Sequence, residues 1–289
     1  MNTQNGKSNR TIGFIGAGNM AEAMISALIR TGTFSPDNIL AGDIQPERAE
    51  YIEKTYSIRR ISDNRHIMEV CDIAVLAVKP QQMAGVLEDL AARNAFNAVR
   101  GRLLVISIAA GVKIDTFEKA VYAGKSEKEK QRIPIIRVMP NTPALVGAGM
   151  CAFSANRHAT GGDIDVTRKI LDAMGETIQC AEEKMDAVTA ISGSGPAYCF
   201  YFLESMLAAG EKLGLTAEEA FQLTFQTLRG ALRLIDAQQS SPADLRRKVT
   251  SPGGTTEAAI RVFEENHLKE TVISAIMAAA RRSRELGLS

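Results

Sequence analysis

The feature of this chain that most restricts its fold is a rhythm. From Thr11 to Val138, short uninterrupted apolar runs alternate with longer amphipathic ones. Thr11–Ile15, Ile39–Gly42, Ile73–Val78, Leu103–Ile108 and Ile135–Val138 read as strands. Met20–Arg30, Pro46–Thr55 and Gln81–Ala92 carry helical spacing. Strands apolar on both faces must be covered on both, and the intervening helices supply the cover. The expectation is an α/β fold, with a parallel sheet between helical layers. Ile58–Ile61 adds a weak strand. Gly149–Ser154 and Thr177–Cys180 are expected as edge strands, with a helix over Asp163–Met174 between them. Lys125–Lys130 reads as a charged, solvated loop.

Gly16-Ala17-Gly18-Asn19-Met20-Ala21 lies between the first strand and the first helix. There the first glycine permits a tight turn and the second lets the backbone approach a pyrophosphate. Ala21 lets the helix pack closely on the sheet. Asp43 ends the second strand about 25 residues further on, where an acid accepts hydrogen bonds from the adenine-ribose hydroxyls. This context points to a Rossmann-type dinucleotide site, although a strand–helix turn of the same composition can bind nothing. Asp43 favours NADH, because a 2′-phosphate there meets like charge. Arg48, with Arg59, Arg60 or Arg65, would instead offer that phosphate a cation, so NADH and NADPH both stay open.

Ala77-Val78-Lys79-Pro80-Gln81 and Ile108-Ala109-Ala110-Gly111 follow two further strands, at the edge where ligands bind in open α/β sheets. Ala77, Val78, Lys79, Pro80, Ala109 and Gly111 join the cofactor set on that ground, since small residues let a nicotinamide lie against the backbone. Lys79 either approaches a phosphate or substrate or is simply solvated. Met139-Pro140-Asn141-Thr142-Pro143 is either a rigid wall of the site or a stiff connection.

At 289 residues the chain is long enough for two domains. Its formal net charge of +1 gives no basic surplus for nucleic acid. No apolar run reaches the ~20 residues that span a bilayer, so no membrane partner is expected. Met1–Arg10 is polar, without a signal peptide's apolar core, and reads as a frayed tail. Cys71, Cys151, Cys180 and Cys199 are too scattered for a metal site or disulfide framework. Buried free thiols in a reducing cytoplasm fit them. His66, His158 and His267 are the 3 histidines, which weakens any scheme needing a histidine base.

Beyond residue 181 the strand signals vanish. Ala197–Leu213, Ala217–Ala237, Pro242–Lys248, Thr256–Glu264 and Leu268–Leu286 read as helices. The domains are therefore drawn as 1–181 and 182–289. The last helices are too rich in Ala, Met and Leu for lone surface helices, which suggests a helical oligomer interface. Between two of them lies Val249-Thr250-Ser251-Pro252-Gly253-Gly254-Thr255-Thr256. Pro252 stiffens it, the glycines bend it, and Thr255 and Thr256 fall where hydroxyl caps are favoured. Hydroxyls and free N–H groups at a helix start seat a small anion such as a carboxylate. The alternative is an ordinary capped turn. Ser192-Gly193-Ser194-Gly195-Pro196-Ala197-Tyr198 puts Pro196 in the first turn of a long helix. It either brings Ser194 or Tyr198 near a substrate across a subunit boundary or merely starts the helix.

Taken in order, Phe14–Met20, Ala77–Gln81, Ser107-Ile108-Ala109-Ala110-Gly111-Val112, Arg137–Pro143, Ser192–Tyr198 and Val249–Thr256 resemble the pyrroline-5-carboxylate reductase family over nearly the whole chain. The resemblance implies reduction of L-Δ1-pyrroline-5-carboxylate to L-proline by NADPH or NADH, the last step of proline biosynthesis. It implies an N-terminal dinucleotide domain, and a helical C-terminal domain that interlocks with a partner into a homodimer. Such dimers assemble further into rings such as a decamer. By motif position, Gly16, Ala17, Gly18, Asn19, Met20, Asn64, Ala77 and Lys79 lie along the cofactor. Ser251, Gly254, Thr255 and Thr256 hold the substrate, with the Thr256 hydroxyl nearest the ring nitrogen as the catalytic group. Asp43 departs from members with a serine- or arginine-rich phosphate pocket.

A β-hydroxyacid dehydrogenase also joins such a domain to a helical one. It needs a lysine after the glycine-rich helix start and an asparagine one turn later, where this chain has Cys199 and Leu203. A reductase of another cyclic imine, and a non-catalytic dinucleotide sensor, are the other readings. The sensor would be expected to lose the carboxylate seat.

Overall fold

The computed structural model describes residues 10–287, so all of the expected tail except Arg10 lies outside the described residues. By compactness the chain divides into Met1–Ser194 together with Ala279–Ser289, and Gly195–Ala278.

The first unit is built on a sheet of β1 (Ile12–Ile15), β2 (Ile39–Gly42), β3 (Arg59–Arg60), β4 (Ile73–Leu76), β5 (Leu104–Ser107), β6 (Ile135–Met139), β7 (Gly149–Ala155) and β8 (Gly175–Gln179). The spatial order is β3-β2-β1-β4-β5-β6-β7-β8. Adjacent strands from β3 across to β6 pair in parallel, β7 runs antiparallel to β6, and β8 is parallel to β7. The reversal at β7 follows from its short connection, which holds only a 3-10 turn at Thr142–Val146. A parallel return needs a crossover of a dozen or more residues. Gly149–Ser154 was expected at an edge; β7 is instead an inner strand, and β8 closes the sheet. Ile58–Ile61 shrinks to β3, whose two arginines are both exposed.

Helices α1 (Asn19–Arg30), α2 (Pro46–Tyr56), α3 (Asn64–Val70), α4 (Pro80–Ala92), α5 (Ile114–Val121), α6 (Glu127–Lys130), α7 (Gly161–Asp172) and α8 (Met185–Val188) complete the described length up to the π-turn at Thr189–Gly193. Alternate residues of β4 show how the sheet is sandwiched. Ile73 and Val75 join a cluster with Met24 and Leu28 of α1, Ile52 of α2 and Leu171 of α7. Ala74 and Leu76 join one with Ile67 of α3, Leu87 of α4 and Phe117 of α5. Phe14, Phe117 and Phe153 are fully buried, each contributing about 1.5–3 kcal/mol relative to exposure. Lys125–Lys130 holds the single turn α6. It starts on a capping box in which Glu129 N–H donates to Ser126 Oγ and Ser126 N–H to Glu129 Oε2.

Arg102 forks onto the buried Asp163, with Nε to Oδ1 at 3.1 Å, while Thr160 N–H donates to Oδ2 at 2.7 Å. Burial pushes the Asp163 carboxyl up, but hydrogen bonds from Arg102 and Thr160 outweigh it and hold the group below its ordinary value. Cys71 and Cys151 are buried, and burial raises both thiols to about 12. Uniform burial of the cysteines does not hold: Cys180 is half-buried and Cys199 exposed.

In the second unit, α9 (Gly195–Lys212) and α10 (Ala217–Gln238) form a hairpin. The helices approach where Gly210 faces Ala220, a position at which an added Cβ would sit 2.9 Å from the alanine's own. Thr216 and Glu219 form the capping box that starts α10. α11 (Pro242–Lys248), α12 (Thr255–Glu265) and α13 (Leu268–Leu286) follow. Phe200, Tyr201, Leu223, Leu232, Ile273 and Met277 are exposed, more apolar surface than a helical unit keeps in water without a use for it. Among the described residues no helix is long and apolar enough to cross a membrane.

The closing residues of α13 belong to the first unit. Ser283 Oγ donates to Asp186 Oδ1 at 2.7 Å. Gly111, at φ +79°, lies beneath this turn, and a Cβ there would meet the Ser283 carbonyl oxygen at 3.2 Å.

Candidate functional site

At the carboxyl ends of β1, β2 and β4 the first unit opens into a cavity of about 750 Å³. β1 runs into Gly16, which takes φ +93° and donates its N–H to the Gly42 carbonyl at 2.8 Å. A Cβ on Gly16 would stand 2.9 Å from the Ala77 carbonyl carbon and oxygen. Only glycine suits both the angle and the gap. Gly18 differs: its missing Cβ would meet nothing within 4 Å, because that side faces the cavity. Gly18 is also the N-cap of α1 and supplies no side-chain acceptor. The first-turn N–H groups of α1 are thereby left for a bound anion.

Asp43 holds this loop from beside it. Its Oδ2 accepts from Ala17 N–H at 2.8 Å and its Oδ1 from Gln45 N–H at 2.9 Å. Arg48, on α2, donates from Nε to the Ala17 carbonyl at 2.6 Å and pairs with Glu22 of α1. Glu22 also accepts from the Tyr56 hydroxyl at 3.0 Å. Burial pushes Glu22 up, but the bonds from Arg48 and Tyr56 prevail and keep its carboxyl below the usual range. Burial, reinforced by Glu22, raises the Tyr56 phenol. Ala17 is thus gripped at both its N–H and its carbonyl.

Of the expected cofactor residues, Gly16, Gly18, Asn19, Asp43, Asn64, Ala77, Val78 and Lys79 line the cavity. Asn64 opens α3, whose N-cap Asp63 accepts from Arg65 N–H at 2.9 Å. Ala17 in the loop and Met20 in the first turn of α1 are not in the lining, and Pro80 starts α4 beside it. Ala109 and Gly111 do not line it; Ala109 is buried, and Gly111 is covered by the end of α13. Residues the sequence reading did not name include Ile44 and Gln45, and a stripe on α4 of Gln82, Val86 and Asp89 ending at Arg93. Their spacing of three to four residues after Pro80 was the available signal. A neighbouring hollow of about 520 Å³ is lined by Arg60, Arg65, His66 and Glu69.

In the second unit, Ser251–Gly254 closes a turn with Gly254 N–H on the Ser251 carbonyl at 3.0 Å. Pro252 takes the second place and Gly253, at φ +71°, the third, as a type II turn requires. The expectation of a hydroxyl cap is corrected. Gly254 is the N-cap of α12 and makes no side-chain capping bond, leaving Thr255 and Thr256 in the first helical turn. A Cβ on Gly254 would come within 2.6 Å of Ser251 Oγ and 3.0 Å of the Ser251 carbonyl oxygen, so a larger residue there would displace the Ser251 side chain. Gly253 N–H donates to Glu257 Oε2 at 2.8 Å.

Asn141 belongs to neither expected set. Its Oδ1 accepts from Met150 N–H at 2.8 Å, and its Nδ2 donates to the Ser192 carbonyl at 3.2 Å. It therefore ties the start of β7 to the π-turn Thr189–Gly193. Such turns recur at functional sites. The Tyr198 hydroxyl is buried without a hydrogen-bond partner among the described residues.

Two family models match this chain. "NADP oxidoreductase coenzyme F420-dependent" covers residues 11–111, and "Pyrroline-5-carboxylate reductase dimerisation" covers residues 182–286. The pyrroline-5-carboxylate reductase of Synechocystis sp. is 40% identical over 96% of this chain and 98% of its own length. This chain belongs to the pyrroline-5-carboxylate reductase family. The Pseudomonas aeruginosa member of that family is likewise 40% identical, over 96% of this chain and 97% of its own. The crystal structure of the Plasmodium falciparum reductase, with NADP bound, superposes with a TM-score of 0.85 at 31% identity, covering 98% of this chain and 100% of that one. The cavity suits the reductase family's dinucleotide. It offers an unobstructed glycine, an uncapped helix start and a carboxylate at the end of β2, within a volume ordinary for such ligands.

Proposed function

We propose that this chain reduces L-Δ1-pyrroline-5-carboxylate to L-proline with NADH or NADPH, the last step of proline biosynthesis. The observation that carries this reading is the Ser251–Thr256 turn. It offers an uncapped helix start with hydroxyls on both sides, in a chain whose relatives are named as reductases of that imine. The reaction needs no histidine base, in keeping with a site built from hydroxyls and backbone N–H groups.

The substrate carboxylate is held by the first-turn N–H groups of α12 and by Ser251 and Thr255, with Gly254 keeping the turn tight. Thr256 hydrogen-bonds the ring nitrogen and holds a proton there, which makes the imine carbon a stronger acceptor. Gly16, Ala17, Gly18, Asn19, Met20, Asp43, Asn64, Ala77, Val78, Lys79 and Pro80 seat the dinucleotide, with Ala109 and Gly111 supporting the same edge. When bound, its nicotinamide supplies the reducing equivalent. The unpartnered Tyr198 hydroxyl supports a role for the start of α9 in substrate contact. Residues 1–181 act as the dinucleotide domain. Residues 182–289 bind substrate and pair with a second copy, burying the exposed helical faces, with dimers assembling into a ring such as a decamer. The enzyme works in the cytoplasm.

The test mixes purified protein with pyrroline-5-carboxylate and each reduced cofactor and follows the loss of reduced-nicotinamide absorbance. Thr256→Ala is expected to lower turnover by one to two orders of magnitude, the loss of one oriented hydrogen bond of ~1.5–3 kcal/mol. Parent-like turnover in that variant rejects the assignment of Thr256.

A further inference from the structure

The charges around the cavity decide more than whether a dinucleotide fits. Its lining carries three cations, Arg48, Lys79 and Arg93, and three carboxylates, Asp43, Asp63 and Asp89. Two of the cations are already engaged. Arg48 is held by the Ala17 carbonyl and Glu22 and lies over the Tyr51 ring at 5.2 Å. Arg93 pairs with Asp89 at 2.8 Å and lies 3.8 Å from Asp63. The arginines of the neighbouring hollow are paired too, Arg60 with Glu53 at 3.5 Å and Arg65 with Glu69 at 2.8 Å. A phosphate ester at the adenine ribose is close to a dianion and needs a cation surplus, best supplied by an arginine fork. This cavity has none.

At the end of β2, where the ribose of a dinucleotide lies in this fold, the chain places Asp43. Each carboxylate oxygen accepts one backbone N–H. A carboxylate has about four acceptor sites, so one per oxygen remains for a pair of ribose hydroxyls. We infer that this site selects NADH over NADPH, with Asp43 as the specificity-determining residue and Glu22 keeping Arg48 from serving a 2′-phosphate. The inference rests on the dinucleotide reading above and adds its direction.

The experiment is calorimetric titration of the purified protein, without substrate, by NADH and by NADPH. NADH is expected to bind at least tenfold more tightly. Asp43→Ser removes both the ribose acceptor and the like charge, and is expected to shrink the ratio of the two affinities at least tenfold. Glu22→Gln removes the charge that Arg48 is paired with and is expected to improve NADPH binding while leaving NADH within about twofold. Tighter binding of NADPH by the parent overturns the inference and leaves the proposed reaction standing. So does an Asp43→Ser variant that weakens both cofactors equally, for Asp43 would then only support the loop. Binding of neither cofactor overturns the dinucleotide reading itself, and the inference with it.

Discussion

Gly16 and Gly18 stand two residues apart in one loop, yet alanine at each should fail for opposite reasons. At Gly16 the backbone sits at φ +93° and the added methyl meets main-chain atoms of Ala77 at 2.9 Å. The angle costs about 1–2 kcal/mol for an L-residue. Overpacking against atoms that cannot rotate aside adds about 1–3 kcal/mol. Gly16→Ala should therefore lose about 2–5 kcal/mol, a large part of the ~5–15 kcal/mol that holds a protein folded. With a urea dependence of ~2–3 kcal/mol/M, the unfolding midpoint falls by roughly 0.7–2.5 M. At Gly18 the backbone has φ −65° and an added Cβ meets nothing within 4 Å. Reduced freedom of the unfolded chain offsets a poorer N-cap, so Gly18→Ala should stay within about 1 kcal/mol of the parent. Its methyl instead fills the space a pyrophosphate approaches, and cofactor affinity should drop at least tenfold. Urea titration followed by circular dichroism, and cofactor titration of the same samples, measure both. The reasoning is refuted if Gly16→Ala unfolds with the parent, or if Gly18→Ala loses stability and keeps its cofactor.

Asp163→Asn should destabilise the protein by ~1–3 kcal/mol near neutral pH, since Arg102 and Thr160 lose their charged acceptor. The Asp163 carboxyl is held low in the fold, so its contribution is complete above the unfolded value near 3.8 and is lost as pH falls through the lowered one. Denaturation midpoints of parent and variant should converge in acid; a constant gap down to the acid transition contradicts the assignment. Cys71 and Cys151, raised to about 12, should resist alkylation at pH 8 until the protein is unfolded. Mass spectrometry of the labelled native protein checks this, and modification of either residue at the rate of a free thiol refutes it.

The sheet was legible because its inner strands have no polar face. Ile39–Gly42 was delimited to the residue, and Leu103–Ile108 overran β5 by a residue at each end. Arg59 and Arg60 pair with β2 through backbone alone, with both side chains in water, so apolar patterning locates that strand poorly. The position of β7 was hidden for another reason. An antiparallel return is set by connection length rather than by the strand's own residues, and the turn between Met139 and Gly149 leaves no room for a crossover. Ser126 and Glu129 did carry a capping-box spacing that marks α6, masked by the charge around it. At the candidate site, the glycine turn and Asp43 could be read from spacing. The engagement of Arg48 by Glu22 could not, because the two residues meet only when α1 and α2 lie side by side.

The chain leaves its first unit after Ser194 and rejoins it at Ala279. Gly111 therefore stays without its cover, and Asp186 without Ser283, until the end of α13 has been synthesised. The packing of the first unit is thus completed by residues that lie beyond the whole of the second. Removal of the chain from Ala279 onward would strip Gly111 of its cover and Asp186 of its hydrogen bond, loosening a unit whose strands all precede residue 180.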